Sequence, residues 1–121
     1  MADILIVDDS KSFRDLLKDI VEKKGHRVVG EAENGLEAID MYPKIHPDLV
    51  ILDIIMPKIS GNDAIIGLKK IDENVKIVIC STLDFEDLIQ DTIKLGVKGY
   101  IIKPIANENE VIEKINDVLN L

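Results

Sequence analysis

The residues able to do chemistry stand where apolar runs end. Asp8 and Asp9 follow the run at 4–7, Asp53 the run at 49–52, Ser81 and Thr82 the run at 77–80, and Lys103 the run at 100–102. Taken singly, each is explained as a polar strand end or as a cap for the next helix, a role that Ser10 and Asp84 also suit. Taken together they are not. Asp8, Asp9 and Asp53 would bring three carboxylates onto neighbouring strands, where repulsion is costly unless a bound cation or proton relieves it. Oxygen ligands with neither thiolate nor imidazole beside them select a hard ion, and a small site with few protein ligands fits Mg²⁺ with retained waters better than a caged Ca²⁺. A divalent ion against three carboxylates leaves about one negative charge, so a phosphoryl group needs a further cation, which Lys103 supplies. Ser81 adds a hydroxyl donor. Asp53 stands alone at the end of its run and suits a nucleophile, since aspartate is a covalent phosphoryl acceptor; the adjacent Asp8 and Asp9 suit the metal.

These side chains need a scaffold that delivers them to one rim. Runs rich in β-branched residues at 4–7, 28–29, 49–52, 77–80 and 100–102 read as strands, and being continuous rather than alternating they predict burial on both faces of a parallel sheet. Between them the apolar spacing turns helical. Phe13, Leu16, Leu17, Ile20 and Val21 form one face, closed by Gly25. Asn34 and Glu37 make a capping box for a helix facing inward through Leu36, Ile39 and Tyr42, which Pro43 is expected to stop or kink. A third helix follows Gly61, with Ala64, Ile65, Leu68 and Ile71 inward and Gly67 weakening it by ~1 kcal/mol relative to Ala. A fourth begins near Asp84 and turns Phe85, Leu88, Ile89 and Ile93 inward before Gly96. The last opens with Asn107 and Glu110 and buries Val111, Ile112, Ile115, Val118 and Leu119. Strict alternation with short connections predicts an α/β open, doubly wound sheet with right-handed crossovers. In such sheets ligands gather outside the carboxyl ends of the strands, where the acids, the hydroxyl and the lysine fall.

Composition narrows the reading. The 121 residues are 46% apolar, enough for one core, and no linker or low-complexity segment divides them, so 1–121 is expected to be one domain. A net charge of 15 − 23 = −8 disfavours nucleic acid and anionic membranes as partners. Cys80 alone cannot make an intrachain disulfide, nor with two histidines a zinc site of the usual kind, which suits a reducing, cytoplasmic compartment. No apolar stretch approaches a bilayer span and no basic region precedes the first one, which argues against membrane insertion and secretion.

In order and spacing, Ile4-Leu5-Ile6-Val7-Asp8-Asp9-Ser10, Asp53-Ile54-Ile55-Met56-Pro57, Ser60-Gly61 and Gly99-Tyr100-Ile101-Ile102-Lys103-Pro104 resemble the receiver domains of two-component response regulators, most closely the stand-alone chemotaxis (CheY-like) type. The resemblance covers the whole chain and implies a five-stranded flavodoxin-like (βα)5 fold of strand order 2-1-3-4-5. It implies that Asp53 is the phosphoacceptor, that Asp8, Asp9, Asp53 and the backbone carbonyl of Ile55 hold Mg²⁺, and that Lys103 pairs with the phosphoryl group. Ser81 matches the switching hydroxyl, with Thr82 a departure from the small residue common there, and Tyr100 matches the aromatic that changes rotamer on activation. The Lys103-Pro104 bond is usually cis in the family. A CheA-like histidine kinase as donor is implied, with a flagellar switch protein or archaellar adaptor as motility target and a phosphatase as a further partner. The expected state is a cytoplasmic monomer that is not an enzyme beyond its own phosphoryl transfer and hydrolysis. With the chain ending one helix after Lys103, output is expected through the surface of the fourth helix, fifth strand and fifth helix. Ile55 and Leu83 match the two positions flanking the path of the hydrolytic water.

Other readings fit less well. A relay receiver passing its phosphate to another histidine is the alternative within the family. An aspartyl-phosphate phosphatase typically carries a second Asp two residues after the nucleophile, where this chain has Ile55. A flavin or nucleotide site needs a Gly- or Ser/Thr-rich loop after the first strand, and Asp8-Asp9 would repel phosphate there. A pseudo-receiver would not need the complete acid pair, acceptor, hydroxyl and lysine. Cys80 reads as a buried small hydrophobe, His26 and His46 as surface turn residues, and the Lys23-Lys24 and Lys69-Lys70 pairs as solvated helix ends. At a water-exposed rim Lys103 is expected to add little stability by itself.

Overall fold

Strands form where the β-branched runs lie: β1 (Asp3–Val7), β2 (Arg27–Ala32), β3 (Leu49–Leu52), β4 (Ile77–Ser81) and β5 (Gly99–Ile102). In the computed structural model, which describes residues 1–121, they pair in parallel in the order β2-β1-β3-β4-β5. The helices α1 (Lys11–Glu22), α2 (Gly35–Ile45), α3 (Gly61–Ile71), α4 (Glu86–Lys94) and α5 (Glu108–Leu119) connect them, giving the expected doubly wound, flavodoxin-like architecture. The runs are continuous because both faces are covered. Along β1, Ile4 and Ile6 point into the layer containing Leu17, Val21, Val111 and Ile115 from α1 and α5. Leu5 and Val7 alternate into the layer containing Ala38, Tyr42, Ile65 and Leu68 from α2 and α3. Each fully buried Leu or Ile contributes roughly 1.5–3 kcal/mol, so the two layers fix the register that brings the strand ends level.

Caps mark where the chain leaves the sheet. Ser10 accepts from the Phe13 N–H, Ser60 from the Asp63 N–H, and Asn34 from the Glu37 N–H. Glu37 reaches back to the N–H of Glu33 rather than of Asn34, so the capping box closes one residue early. Gly61 has a packing reason: a Cβ there would lie 2.7 Å from the Ile54 Cα. The loop after β3 therefore folds tightly against the start of α3. Gly67 costs α3 helix propensity, yet it lets the Ile39 side chain of α2 pass where a Cβ would meet it at 2.5 Å.

Several local expectations are corrected. Pro43 does not stop α2, which runs on to Ile45 and is closed by His46 at φ 46°, its N–H donating to the Tyr42 carbonyl. Pro43 is exposed and close to the helix end, and burial of Ala38 and Tyr42 holds the turn in which it sits. Leu16, Leu36, Ile71, Phe85 and Ile93 stay exposed rather than facing the core. In α1 the inward stripe is Arg14, Leu17, Ile20 and Val21, so a charge occupies a place that an apolar face would give to a hydrophobe. In α4 only Thr92 is buried, and the helix begins at Glu86 with no side-chain cap from Phe85 or Asp84. His26 is buried, not surface: its Nδ1 accepts the Ala2 N–H at 3.1 Å.

Candidate functional site

Backbone hydrogen bonds tie the rim together before any side chain does. The N–H of Asp8 donates to the Ala32 carbonyl, that of Asp53 to Val7, and that of Lys103 to Ser81. These bonds carry the parallel ladder one step past the strands and present Asp8, Asp53, Ser81 and Lys103 side by side. The Lys103 ammonium donates to Oδ2 of Asp8 at 2.7 Å and to Oδ2 of Asp53 at 3.0 Å. The other oxygen of each carboxylate accepts a local N–H, Ser10 for Asp8 and Ile55 for Asp53. One oxygen of each acid thus fixes its rotamer while the other faces the centre.

Asp9 is exposed, yet its carboxylate comes within 4.8 Å of those of Asp8 and Asp53. The set is all oxygen, with no thiolate or imidazole in it, which fits a small hard cation rather than zinc. Lys103 is more enclosed than a rim lysine would be: its side chain is 13% exposed, and its Nζ sits 4.0 Å from the centroid of the Phe13 ring. Burial works against its charge, but the hydrogen bonds and charges of Asp8 and Asp53 together outweigh that and hold its pKa above the ordinary lysine value.

Ser81 is fully buried at the end of β4, and its Oγ accepts the Leu83 N–H at 3.3 Å. Thr82 beside it is exposed. The Tyr100 hydroxyl donates to the Leu83 carbonyl at 2.8 Å, so the aromatic is tethered to the β4–α4 loop. Burial raises its pKa, which the neighbouring Ser81 hydroxyl partly opposes. The Lys103-Pro104 bond is cis.

Three contacts escape the sequence reading. Phe13 lies under Lys103, and Arg14 donates from Nη1 to the Asp8 carbonyl at 2.7 Å and from Nε to Glu31 at 3.0 Å. A signal existed for Arg14, a lone charge at i−3 from Leu17 on the apolar side of α1. Cys80 is buried as expected, and burial pushes its thiol up to about 12.

The ends of β1, β3, β4 and the edge strand β5 deliver an acid cluster, a hydroxyl and a lysine to one rim, which defines an α/β domain with a candidate hard-cation site at the carboxyl edge of its parallel sheet. The profile of the response regulator receiver domain matches residues 4–116, and the chain belongs to that family. It is 44% identical to the chemotaxis protein CheY of Thermotoga maritima over 115 residues, 95% of each chain. It is 39% identical to the sporulation initiation phosphotransferase F of Bacillus subtilis over 116 residues, 96% of this chain and 89% of that protein. Among solved structures, the Borrelia burgdorferi CheX-CheY-BeF3-Mg²⁺ complex contains a chain that superposes with a TM-score of 0.92 at 31% identity, covering 96% of this chain and 87% of that one.

Proposed function

We propose that this chain is a single-domain chemotaxis response regulator that accepts a phosphoryl group on Asp53. The observation that carries this is the double grip of Lys103 on Asp8 and Asp53, with the Asp9 carboxylate at ligating range of both. Asp8, Asp9, Asp53 and the Ile55 carbonyl are the residues to hold Mg²⁺. When bound, that ion neutralises the acids and the incoming phosphoryl oxygens.

The rest of the chemistry belongs to the chain. An Asp53 oxygen attacks the phosphorus of a kinase phosphohistidine, a P–O bond forms as the P–N bond breaks, and the imidazole leaves with a proton from solvent. In this reading Lys103 follows the charge from the carboxylate to the phosphoryl oxygens, and the Ser81 hydroxyl donates to one of them. Movement of Ser81 would release Leu83, to which the Tyr100 hydroxyl is tied, so the loop and the aromatic form one connected element.

The exposed Phe85, at the N-cap of α4, and Ile93 within α4 suit an output face for a motility switch or adaptor protein. A CheA-like kinase as donor, a phosphatase as antagonist, a cytoplasmic monomer and no catalysis beyond self-phosphorylation and self-hydrolysis complete the reading. The test is incubation with acetyl phosphate followed by mass spectrometry. One base-labile phosphate is expected, absent in Asp53→Asn and absent when divalent ions are chelated; undiminished incorporation in either case overturns the assignment. A relay role, favoured by likeness to the Bacillus phosphotransferase, would show instead as transfer from Asp53 onward to a histidine protein.

A further inference from the structure

We propose that Arg14 is a positioning residue for the divalent-cation site, an inference that rests on the Mg²⁺ reading of Asp8, Asp9 and Asp53. Its guanidinium donates from Nη1 to the backbone carbonyl of Asp8 at 2.7 Å, the carbonyl of the peptide linking the two adjacent acids. Its Nε donates to Glu31 on β2 at 3.0 Å, and its side chain is 9% exposed. A buried cation on a stripe otherwise made of Leu17, Ile20 and Val21 is costly, and packing gives no reason to keep it.

Its two bonds supply one. The Asp8 side chain is already fixed by Ser10 and Lys103, but the exposed Asp9 owes its direction to the main chain that carries it. The residue before it, Asp8, is held at its N–H by the Ala32 carbonyl and at its carbonyl by Arg14. Glu31, anchored in β2, aims the guanidinium. Arg14 therefore braces the turn that points Asp9 toward the other two carboxylates.

Charge and geometry predict opposite signs, which makes the idea sharp. A guanidinium beside an acid cluster repels a cation, so if charge were its only effect, Arg14→Gln would tighten Mg²⁺ binding. If it braces the turn, the same change weakens Mg²⁺ roughly tenfold, the usual scale for partners that orient ligands. Arg14→Lys keeps the charge and loses the fork that spans Asp8 and Glu31; bracing predicts weakening there too, charge alone predicts no change.

Titration of the unphosphorylated protein with MgCl2 by calorimetry reads the affinity directly, without activity. Leu17→Ala serves as a control that loosens the same face of α1 without touching the turn, and it should bind Mg²⁺ as wild type does. Weaker Mg²⁺ in both Arg14 variants with an unaffected control supports bracing; unchanged or tighter binding, or an equal loss in Leu17→Ala, overturns it. Should Arg14→Gln not fold, Arg14→Lys decides between the same outcomes. A wild-type protein that takes up no Mg²⁺ would instead sink the metal reading itself.

Discussion

The Lys103 ammonium lies 2.7 Å from Oδ2 of Asp8, a carboxylate whose side chain is 3% exposed. A lysine expected at a wet rim is thus the counter-charge of a buried acid. Removing it leaves Asp8 and Asp53 facing each other unpaired. Lys103→Met is therefore expected to cost about 2–3 kcal/mol in chelator, and added Mg²⁺ should restore most of that by taking over the neutralising role. Urea unfolding with and without Mg²⁺ checks it, and equal stability of variant and wild type in chelator would show that the acids tolerate each other. Because the folded pKa of Lys103 is raised, the stabilisation from the pair is complete below the unfolded value of 10.5 and is lost as pH rises through the higher folded value.

His26 gives a dependence at the other end of the pH scale. The Ala2 N–H points at its Nδ1, so that nitrogen carries a lone pair, and protonating it would set two N–H groups against each other. Burial, with the positive N-terminus, holds the pKa below 6.5 despite the opposing influence of the Asn116 side chain. A folded pKa below the unfolded one gives stability that is full above about pH 6.5 and falls as the pH drops through the lower folded value. Thermal melts between about pH 7.5 and 5 should fall more steeply for wild type than for His26→Asn, which keeps an acceptor but does not titrate. Parallel profiles would remove His26 from the account.

Lys58, in the loop after the acceptor, sits at φ 81°, where a side chain is strained and glycine is not. Relief of that strain in Lys58→Gly should raise stability by about 1 kcal/mol, a few degrees in melting temperature. If the loop conformation is instead needed by partners, the same variant folds better while accepting phosphate from the kinase more slowly than from acetyl phosphate. A melting temperature below that of wild type would contradict the strain argument.

The sheet and the rim were legible because they rest on periodicity and on spacing within continuous runs, which a single chain displays. Helix faces were less so. Leu16, Phe85 and Ile93 fit the inward spacing and face water, since periodicity cannot tell a core from a surface kept apolar for contact. The partner of His26, the Ala2 N–H, is a backbone atom that no residue pattern advertises; Arg14 leaves a trace as a lone charge on the apolar side of α1, but its bond to the Asp8 carbonyl leaves none. The effect of Pro43 depends on how near the helix end it falls, and that end is set by His46 and by burial of Tyr42.

Lifetime of the phosphorylated state is expected to turn on Ile55 and Leu83, which match the two positions that flank the path of the hydrolytic water in the receiver family. Ile55 is 51% exposed and Leu83 half-buried, and both are aliphatic, so neither offers a donor or acceptor to an attacking water. Leu83 uses its backbone instead, its N–H on Ser81 and its carbonyl on Tyr100. Slow self-hydrolysis is expected. Orienting a water is worth at least ~1.4 kcal/mol of barrier in a favourable site, and its absence slows the reaction about tenfold. Ile55→Asn and Leu83→Glu should each speed decay of the phosphoprotein in Mg²⁺, and the double variant more. The exposed Asp84 on the same loop and Glu86 at the start of α4 are the groups able to substitute, so Asp84→Ala and Glu86→Ala belong in the series. If neither polar replacement accelerates decay, or if wild type already decays as fast as the double variant, access of water and not its orientation governs the lifetime.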